Sequence, residues 1–363
     1  MIILTLFLDI LTLGYQNGLQ LTERSNCILS YLYSQAHQSR LSLYQRALQV
    51  QMHAVAQNTL LGYKAAAVKY LKFVQQQGWS MVPFSGCRLS QFMVFSYDVH
   101  TNKPDTIKTC LTNLKGFLHF FNAAIDDRDD EVKMTLEGLS RLDMRPTKHA
   151  SPIQGHHLAS LERSFTGFSY NHPLAAIARE RMSPQHVQIM TVFTIAQNGM
   201  LRVSELVDLK WSDIEFLTDG LKIRINRSKA HQKGSPEEVL MCGHEGNHTN
   251  PVTWLRLHQH KYHETDSDWL FPDVLYKNKA ISSSKFNLMI KKYAPTMELQ
   301  SNTVSTHSFR SGGTTDLVQH GLPRPDVSRL GRWKSQSMVD LYYRPTDDDV
   351  ISSLKASYTT MGK

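Results

Sequence analysis

Cysteine is scarce: Cys27, Cys87, Cys110 and Cys242 are the only four in 363 residues, and no two stand in a CxxC pair or at a disulfide-like spacing. That excludes a small disulfide-stapled secreted scaffold and a zinc ribbon, and it implies a reducing compartment rather than secretion. Long apolar runs are missing as well. The segment from Ile2 to Leu13 is interrupted by Asp9, lacks a positive leading region and a small-residue cleavage site, and is too short to span a bilayer. It is expected to be a helix covering part of a core, or the product of a poorly chosen start codon, rather than a targeting segment. No internal repeat and no long low-complexity tract occurs, which excludes solenoid arrays and a disordered tail.

What is present is enough apolar material, 41% of residues, to build a core in each of two globular domains. Lys and Arg outnumber Asp and Glu by 40 to 32, a formal charge of +8, which favours a polyanionic partner such as nucleic acid.

Residues 1–50 form an N-terminal extension with a Gln/Ser-rich middle and no clear period. From Asn58, a candidate N-cap, the residues Leu60, Ala67, Val68, Leu71 and Val74 recur at helical spacing until Gly78. Further helices are expected near Leu89 to Val99, Asp105 to Phe121 and Asp130 to Leu142, which makes 51–144 an all-helical domain. Residues 145–152, polar and basic and bracketed by Pro146 and Pro152, read as a linker. The second domain, 153–355, mixes helices with a small β-sheet, and 356–363 is a tail. Leu221, Ile223 and Ile225 alternate with Lys222, Arg224 and Asn226 after the turn Asp219-Gly220, the pattern of a half-buried strand, and Val239-Leu240-Met241 is its expected partner. The fold class is therefore mainly α with a small sheet.

Three segments of the second domain carry chemistry. Arg202 and Glu205 follow an apolar helix containing Val187, Met190 and Phe193. In Thr306-His307-Ser308-Phe309-Arg310, Thr306 is a candidate cap of a helix running to His320 with a stop at Gly321, and His307 and Arg310 share one face at its positive end, where a phosphate can be held. Pro325 and Gly331 bound a short helix that sets Trp333 in a turn, and the next helix brings back Tyr342 and Tyr343.

Taken in order, Arg, His-x-x-Arg, Gly-x-Trp and Tyr resemble the tyrosine recombinase or phage integrase family, over roughly residues 58–355. The resemblance implies an all-helical core-binding domain followed by a mixed α+β catalytic domain, and an enzyme that cuts and rejoins DNA through a 3′-phosphotyrosyl intermediate. By this resemblance Arg202 and Arg310 bind the scissile phosphate, since a guanidinium fork donates two hydrogen bonds and keeps its charge. Glu205 buttresses Arg202. His307 matches the general acid/base, and Trp333 stands where many members have histidine, so it can donate one hydrogen bond but relay no proton. Lys229 matches the lysine that protonates the leaving oxygen, with Lys233 its competitor. Tyr342 is the nucleophile by its spacing from Trp333, with Tyr343 the runner-up.

DNA is the expected partner, contacted by Lys64, Lys69, Lys72, Lys108, Lys115, Arg145 and Lys148, with four protomers on paired sites and the stretch Pro345 to Lys363 docking on a neighbour. No cofactor, metal or membrane is implied. Cys242, His244, His248, His258, His260 and His263 crowd one region but fit no two-plus-two ligand spacing, and read as surface histidines in an insertion. The run Gly331-Arg332-Trp333-Lys334-Ser335 resembles recombinases of eukaryotic mobile elements of the Crypton or DIRS kind. That implies the nucleus in a eukaryote and the cytoplasm otherwise. The alternatives are type IB topoisomerase-like relaxation and a non-catalytic DNA-binding descendant.

Overall fold

The computed structural model describes residues 10–17, 19, 55–121, 129–146, 149–226, 236–243, 249–262, 267–273, 275–276 and 278–345, and singly 347, 350, 351 and 355. The chain divides into two compact units, Met1–Pro146 and Thr147–Lys363, a boundary that falls inside the expected linker. Most of 1–50, and all of 356–363, lie outside the described residues. Residues 10–16 are helical, and Ile10 and Leu11 are buried in the first unit's core, so part of the apolar leading segment covers that core.

In the first unit, α1 (Gln57–Gln76) packs on α3 (Pro104–Leu118) and α2 (Gly86–Asp98) packs on α4 (Asp130–Leu142). Asn58 does not cap α1: the cap position is Ala56, with no side-chain hydrogen bond. The buried stripe is also rotated from the expected one. Tyr70 and Phe73 go inside, while Val68 and Leu71 lie half-buried, because the rings meet a cluster of Phe84, Phe92, Phe95 and Trp79 with centroids 5.2–6.0 Å apart. Each such ring removes roughly 150–250 Å² from water, more than a valine can. Helix ends follow local chemistry. The Ser85 hydroxyl accepts from Arg88 N, the Asp129 carboxylate from Glu131 N, and Gly78 takes φ +69° just past α1.

The second unit opens with α5 (Gly155–Thr166) and α6 (Ala175–Glu180), then α7 (Pro184–Asn198) and the one-turn α8 (Val203–Val207). A three-stranded antiparallel sheet follows, β1 (Ile214–Leu217), β2 (Gly220–Ile225) and β3 (Glu237–Cys242), in the order β1-β2-β3. Leu221, Ile223 and Ile225 all face the core, with Leu221 opposite Met241 and Ile223 opposite Val239. The first strand, Ile214-Glu215-Phe216-Leu217, has too little alternation to be seen in the sequence. The remaining helices are α9 (Pro251–Tyr262), α10 (Ser283–Tyr293), α11 (Ser308–Gln319), α12 (Arg324–Leu330) and α13 (Ser337–Tyr342). Helix α7 packs against α5, α9 and α11 and is buried from Val187 to Gln197 on every side.

Burial on all sides leaves the polar residues of α7 to find internal partners. Thr191 donates to the carbonyls of Val187 and Trp254, and Gln188 Nε2 donates to Pro272 O at 2.8 Å. Helix α11 approaches its neighbours through two glycines: a Cβ on Gly312 would strike the Ile153 carbonyl and one on Gly313 the Gln197 carbonyl. No helix of the described residues is long and apolar enough to cross a membrane.

Among the clustered histidines, His258 is not a surface residue. It is fully buried beside Trp211 and Phe271, with Nε2 donating to Leu270 O at 2.8 Å, while His260 is exposed on the same helix. Its imidazole is drawn inward because it can satisfy a carbonyl that a purely apolar side chain would leave unpaired. His244, His248 and His263 lie outside the described residues, and among the described ones no group could hold a metal.

Candidate active site

Arg310 is the centre of the site. It lies two residues into α11 and is 1% exposed; its Nη1 donates to Met200 O and its Nη2 to Gly331 O at 2.8 Å. Both carbonyls come from unusual backbone. Met200 has φ +44°, and Arg332, which follows Gly331, has φ +55°, a left-handed conformation that costs a residue with a Cβ roughly 1–2 kcal/mol. Two strained turns thus aim their carbonyls at one guanidinium. Burial first, and then the positive charges of Arg202 and Arg332, pull the Arg310 pKa down to about 10. It remains a cation at neutral pH, held where a negative ligand relieves it.

Around it the structure gathers Arg202, Glu205, His307, Trp333 and Tyr342. Arg202 stands at the N-terminus of α8, with Nη1 donating to Glu205 Oε1 at 2.7 Å and its backbone N–H to Glu205 Oε2 at 2.9 Å. Glu205 is 2% exposed. Burial pushes its carboxyl pKa up, but the charge of Arg332 and the hydrogen bonds from Arg202 and Arg332 outweigh that and hold it below the ordinary value. Nothing in the spacing singles out Arg332, whose Nη2 donates to Glu205 Oε2 at 2.8 Å.

Thr306 is not the cap of α11; that position belongs to His307, in helical backbone and without a side-chain cap. The turn is closed instead by hydroxyls, Ser305 Oγ accepting from His307 N and Ser308 Oγ from Ser305 N, which leaves the exposed His307 ring directed at the site. Its Nδ1 is 3.2 Å from the Tyr342 hydroxyl. The Tyr342 ring stacks on Trp333, centroids 5.1 Å apart and planes 18° off parallel, and the Arg310 guanidinium lies 4.9 Å from the Trp333 ring and 5.6 Å from that of Tyr342. Tyr343 points elsewhere, with its ring under the Arg324 guanidinium at 5.5 Å. Ser311 Oγ also fixes this end of α13 by donating to Tyr342 O at 2.6 Å. Tyr342 lines a cavity of about 280 Å³ together with His149, Ser305, His307 and Arg344.

The chemistry of this cluster is specific. Two arginines at one point suit a phosphate, and a tyrosine hydroxyl beside a histidine suits nucleophilic attack on it. Residues 166–349, within the second unit, match the model of the phage integrase family. The chain belongs to that family. It is similar to an integrase/recombinase xerD homolog of Selenomonas ruminantium, 27% identical over 165 residues, which is 40% of this chain and 43% of that protein. The match therefore spans less than half of that relative's length.

Among solved structures of the fold is the XerH site-specific recombinase bound to a palindromic difH substrate in a post-cleavage complex. It gives a TM-score of 0.57 at 14% identity and covers 98% of this chain and 95% of that one. The Tn1549 transposon integrase with transposon right end DNA gives 0.53 at 16% identity, covering 91% and 98%. These likenesses show a tyrosine-recombinase fold.

Lys229, Lys233 and Lys148 lie outside the described residues. In the first unit Lys69, Lys72, Lys108 and Lys115 are exposed and Lys64 is half-buried. Arg145, expected on the DNA backbone, is a fastener of its own unit. Its guanidinium bonds Asp143 at 2.5 Å and the carbonyls of Thr101 and Asn102 at 2.6 and 3.1 Å, and lies 4.9 Å over Tyr97.

Proposed function

We propose that this chain is a site-specific DNA recombinase that breaks and rejoins double-stranded DNA through a covalent tyrosine link, with Tyr342 as the nucleophile. The observation that carries this reading is the Tyr342 hydroxyl, 3.2 Å from His307 Nδ1, on a ring stacked against Trp333 beside the buried Arg310. Arg310 and Arg202 take the non-bridging oxygens of the scissile phosphate. Tyr342 Oη forms a bond to phosphorus as the bond to the 5′ oxygen breaks. The tyrosine proton passes to His307, and the departing 5′ oxygen takes a proton from Lys229. The phosphotyrosyl ester keeps the energy of the broken phosphodiester, so a second 5′-hydroxyl reseals the strand without ATP or metal.

Strand exchange through a Holliday junction follows when the attacking hydroxyl comes from a partner duplex, with four protomers on paired sites and the stretch after Tyr342 docking on a neighbour. The Gly331-Arg332-Trp333-Lys334-Ser335 run supports a place among eukaryotic mobile-element recombinases, and hence the nucleus. The test is a nicked suicide duplex carrying the target site. The full chain and Tyr343→Phe form a protein–DNA adduct that survives denaturation, and Tyr342→Phe forms none. No adduct with the unaltered chain would remove the enzyme reading, and relaxation of supercoils without junction formation would replace it with a topoisomerase.

A further inference from the structure

The buried carboxylate of Glu205 is held from two distant parts of the chain. Arg202 occupies Oε1 with its Nη1 and Oε2 with its backbone N–H, and Arg332, 127 residues further on, reaches Oε2 at 2.8 Å. Arg332 has little else to recommend it. Its φ of +55° suits glycine, its side chain is 9% exposed, and its Nε and Nη1 are buried without a hydrogen-bond acceptor, Nη1 coming no nearer than 3.6 Å to Glu237 Oε2. Backbone conformation and desolvation both disfavour an arginine here. What it contributes is the charged hydrogen bond to Glu205.

Its neighbours give that bond a purpose. The preceding Gly331 offers its carbonyl to Arg310, and the following Trp333 stacks on Tyr342. One tripeptide therefore touches Arg310, the Glu205–Arg202 pair and the tyrosine at once. We propose that Arg332 is a positioning residue which, through Glu205, sets the guanidinium of Arg202 and ties that setting to the docking of the segment bearing Tyr342. The proposal rests on the recombinase reading above. It makes the phosphate-binding arginine correctly aimed only when the tyrosine segment is in place. The charged groups facing Glu205 are Arg202 and Arg332, with Arg310 close behind them and Glu237 on the far side of Arg332. Without Arg332, burial would raise the Glu205 carboxyl and its protonation would release Arg202.

The experiment uses the full chain and Arg332→Gly, which suits the backbone and removes only the side chain. Three quantities are measured: gel-shift affinity, the single-turnover rate of adduct formation on a nicked duplex against pH, and the titration of the Glu205 carboxyl by carbon-13 NMR. Affinity should stay within about two-fold while the rate falls about 10- to 100-fold, as for a misaimed group. The Glu205 titration and the acid limb of the rate profile should both move to higher pH. Arg332→Lys should recover part of the rate, and in a Glu205→Gln background Arg332→Gly should change it by less than about two-fold. Parallel loss of affinity and rate with an unmoved acid limb, an equal loss in the Glu205→Gln background, or an unmoved Glu205 titration would each overturn the proposal. The NMR titration needs neither DNA nor turnover. It scores the Arg332–Glu205 link even if the unaltered chain forms no adduct, so the two failures are distinct.

Discussion

The two units of this chain are both mostly helical, yet they bury different things. In the first, helices α1 to α4 put rings and aliphatic side chains inside, and Lys69, Lys72, Lys108 and Lys115 are exposed. In the second, α7 and α11 are enclosed and take polar groups with them: Gln188, Thr191, Arg310, Ser311, Thr314 and, nearby, Glu205 and His258. Each buried polar group there needs its own partner, and the partners come from remote stretches, as Asp316 receives hydrogen bonds from Gln154, Gly155 and Gln197. Apolar burial is forgiving of small changes, whereas a buried polar network is not. Substitutions in the second unit should therefore be severe and specific, and those on the first unit's surface mild and cumulative.

The sharpest break is expected at Arg310. Arg310→Lys keeps a charge but cannot hold both the Met200 and Gly331 carbonyls and still present a fork, so single-turnover cleavage should fall by about 10³-fold, near 4 kcal/mol of transition-state stabilisation. A rate within ten-fold of the unaltered chain would remove Arg310 from the phosphate site. Next is Gly312→Ala, whose Cβ meets the Ile153 carbonyl. It should destabilise the second unit by about 3 kcal/mol and lower its Tm by about 6–12 °C, read by calorimetry, with the transition of the first unit unmoved.

Acid should also separate the units. His258 and His157 have pKa values lowered to about 4, mainly by burial. His258 Nδ1 is buried with no acceptor, and His157 Nδ1 already accepts from Gln154 N, so neither ring can take a proton without loss. The unfolded chain binds those protons near pH 6.5 and the folded one does not. Stability is therefore full above about 6.5 and is lost as pH falls towards 4, by about 2–3 kcal/mol for His258. Urea unfolding across that window measures it, and His258→Gln, which keeps a donor for Leu270 O without a titrating group, should flatten the slope. No histidine is buried among the described residues of the first unit.

The smallest effects belong to the exposed lysines. Lys69→Ala with Lys72→Ala should shift stability by less than about 0.5 kcal/mol, and lower the slope of log affinity against log salt by about one for each phosphate that a lysine no longer neutralises. An unchanged salt slope would take these side chains off the DNA.

The same contrast explains how much could be read from the chain. Amphipathic helices advertise themselves by period, so the helix Asp130–Leu142 and the strand around Ile223 are visible in the sequence. Helix α7 is visible as an apolar helix through Val187, Met190 and Phe193, but its burial on every side is not. The rotation of α1 that buries Tyr70 and Phe73 depends on rings from other helices. Motif order brings Arg202, His307, Arg310, Trp333 and Tyr342 to notice, because each needs a particular functional group at a fixed spacing. The choice between Tyr342 and Tyr343 can be weighed by spacing, but where each hydroxyl points depends on how α13 lies against α11.

By itself, then, the sequence determined the amphipathic helices of the first unit, the strands around Ile223 and Val239, the basic charge and the residue types able to hold a phosphate, since these depend on side-chain chemistry and local period. Tertiary structure alone decided the rest. It bent Met200 and Arg332 into left-handed backbone to aim two carbonyls at Arg310, joined Arg202 to Arg332 through one carboxylate, turned His258 inward, and set Tyr342 rather than Tyr343 against His307. The physical reason is that a buried charge or polar group takes its geometry from whichever groups satisfy it, and those groups can lie far away in sequence, 127 residues from Glu205 to Arg332 and 162 from Gln154 to Asp316.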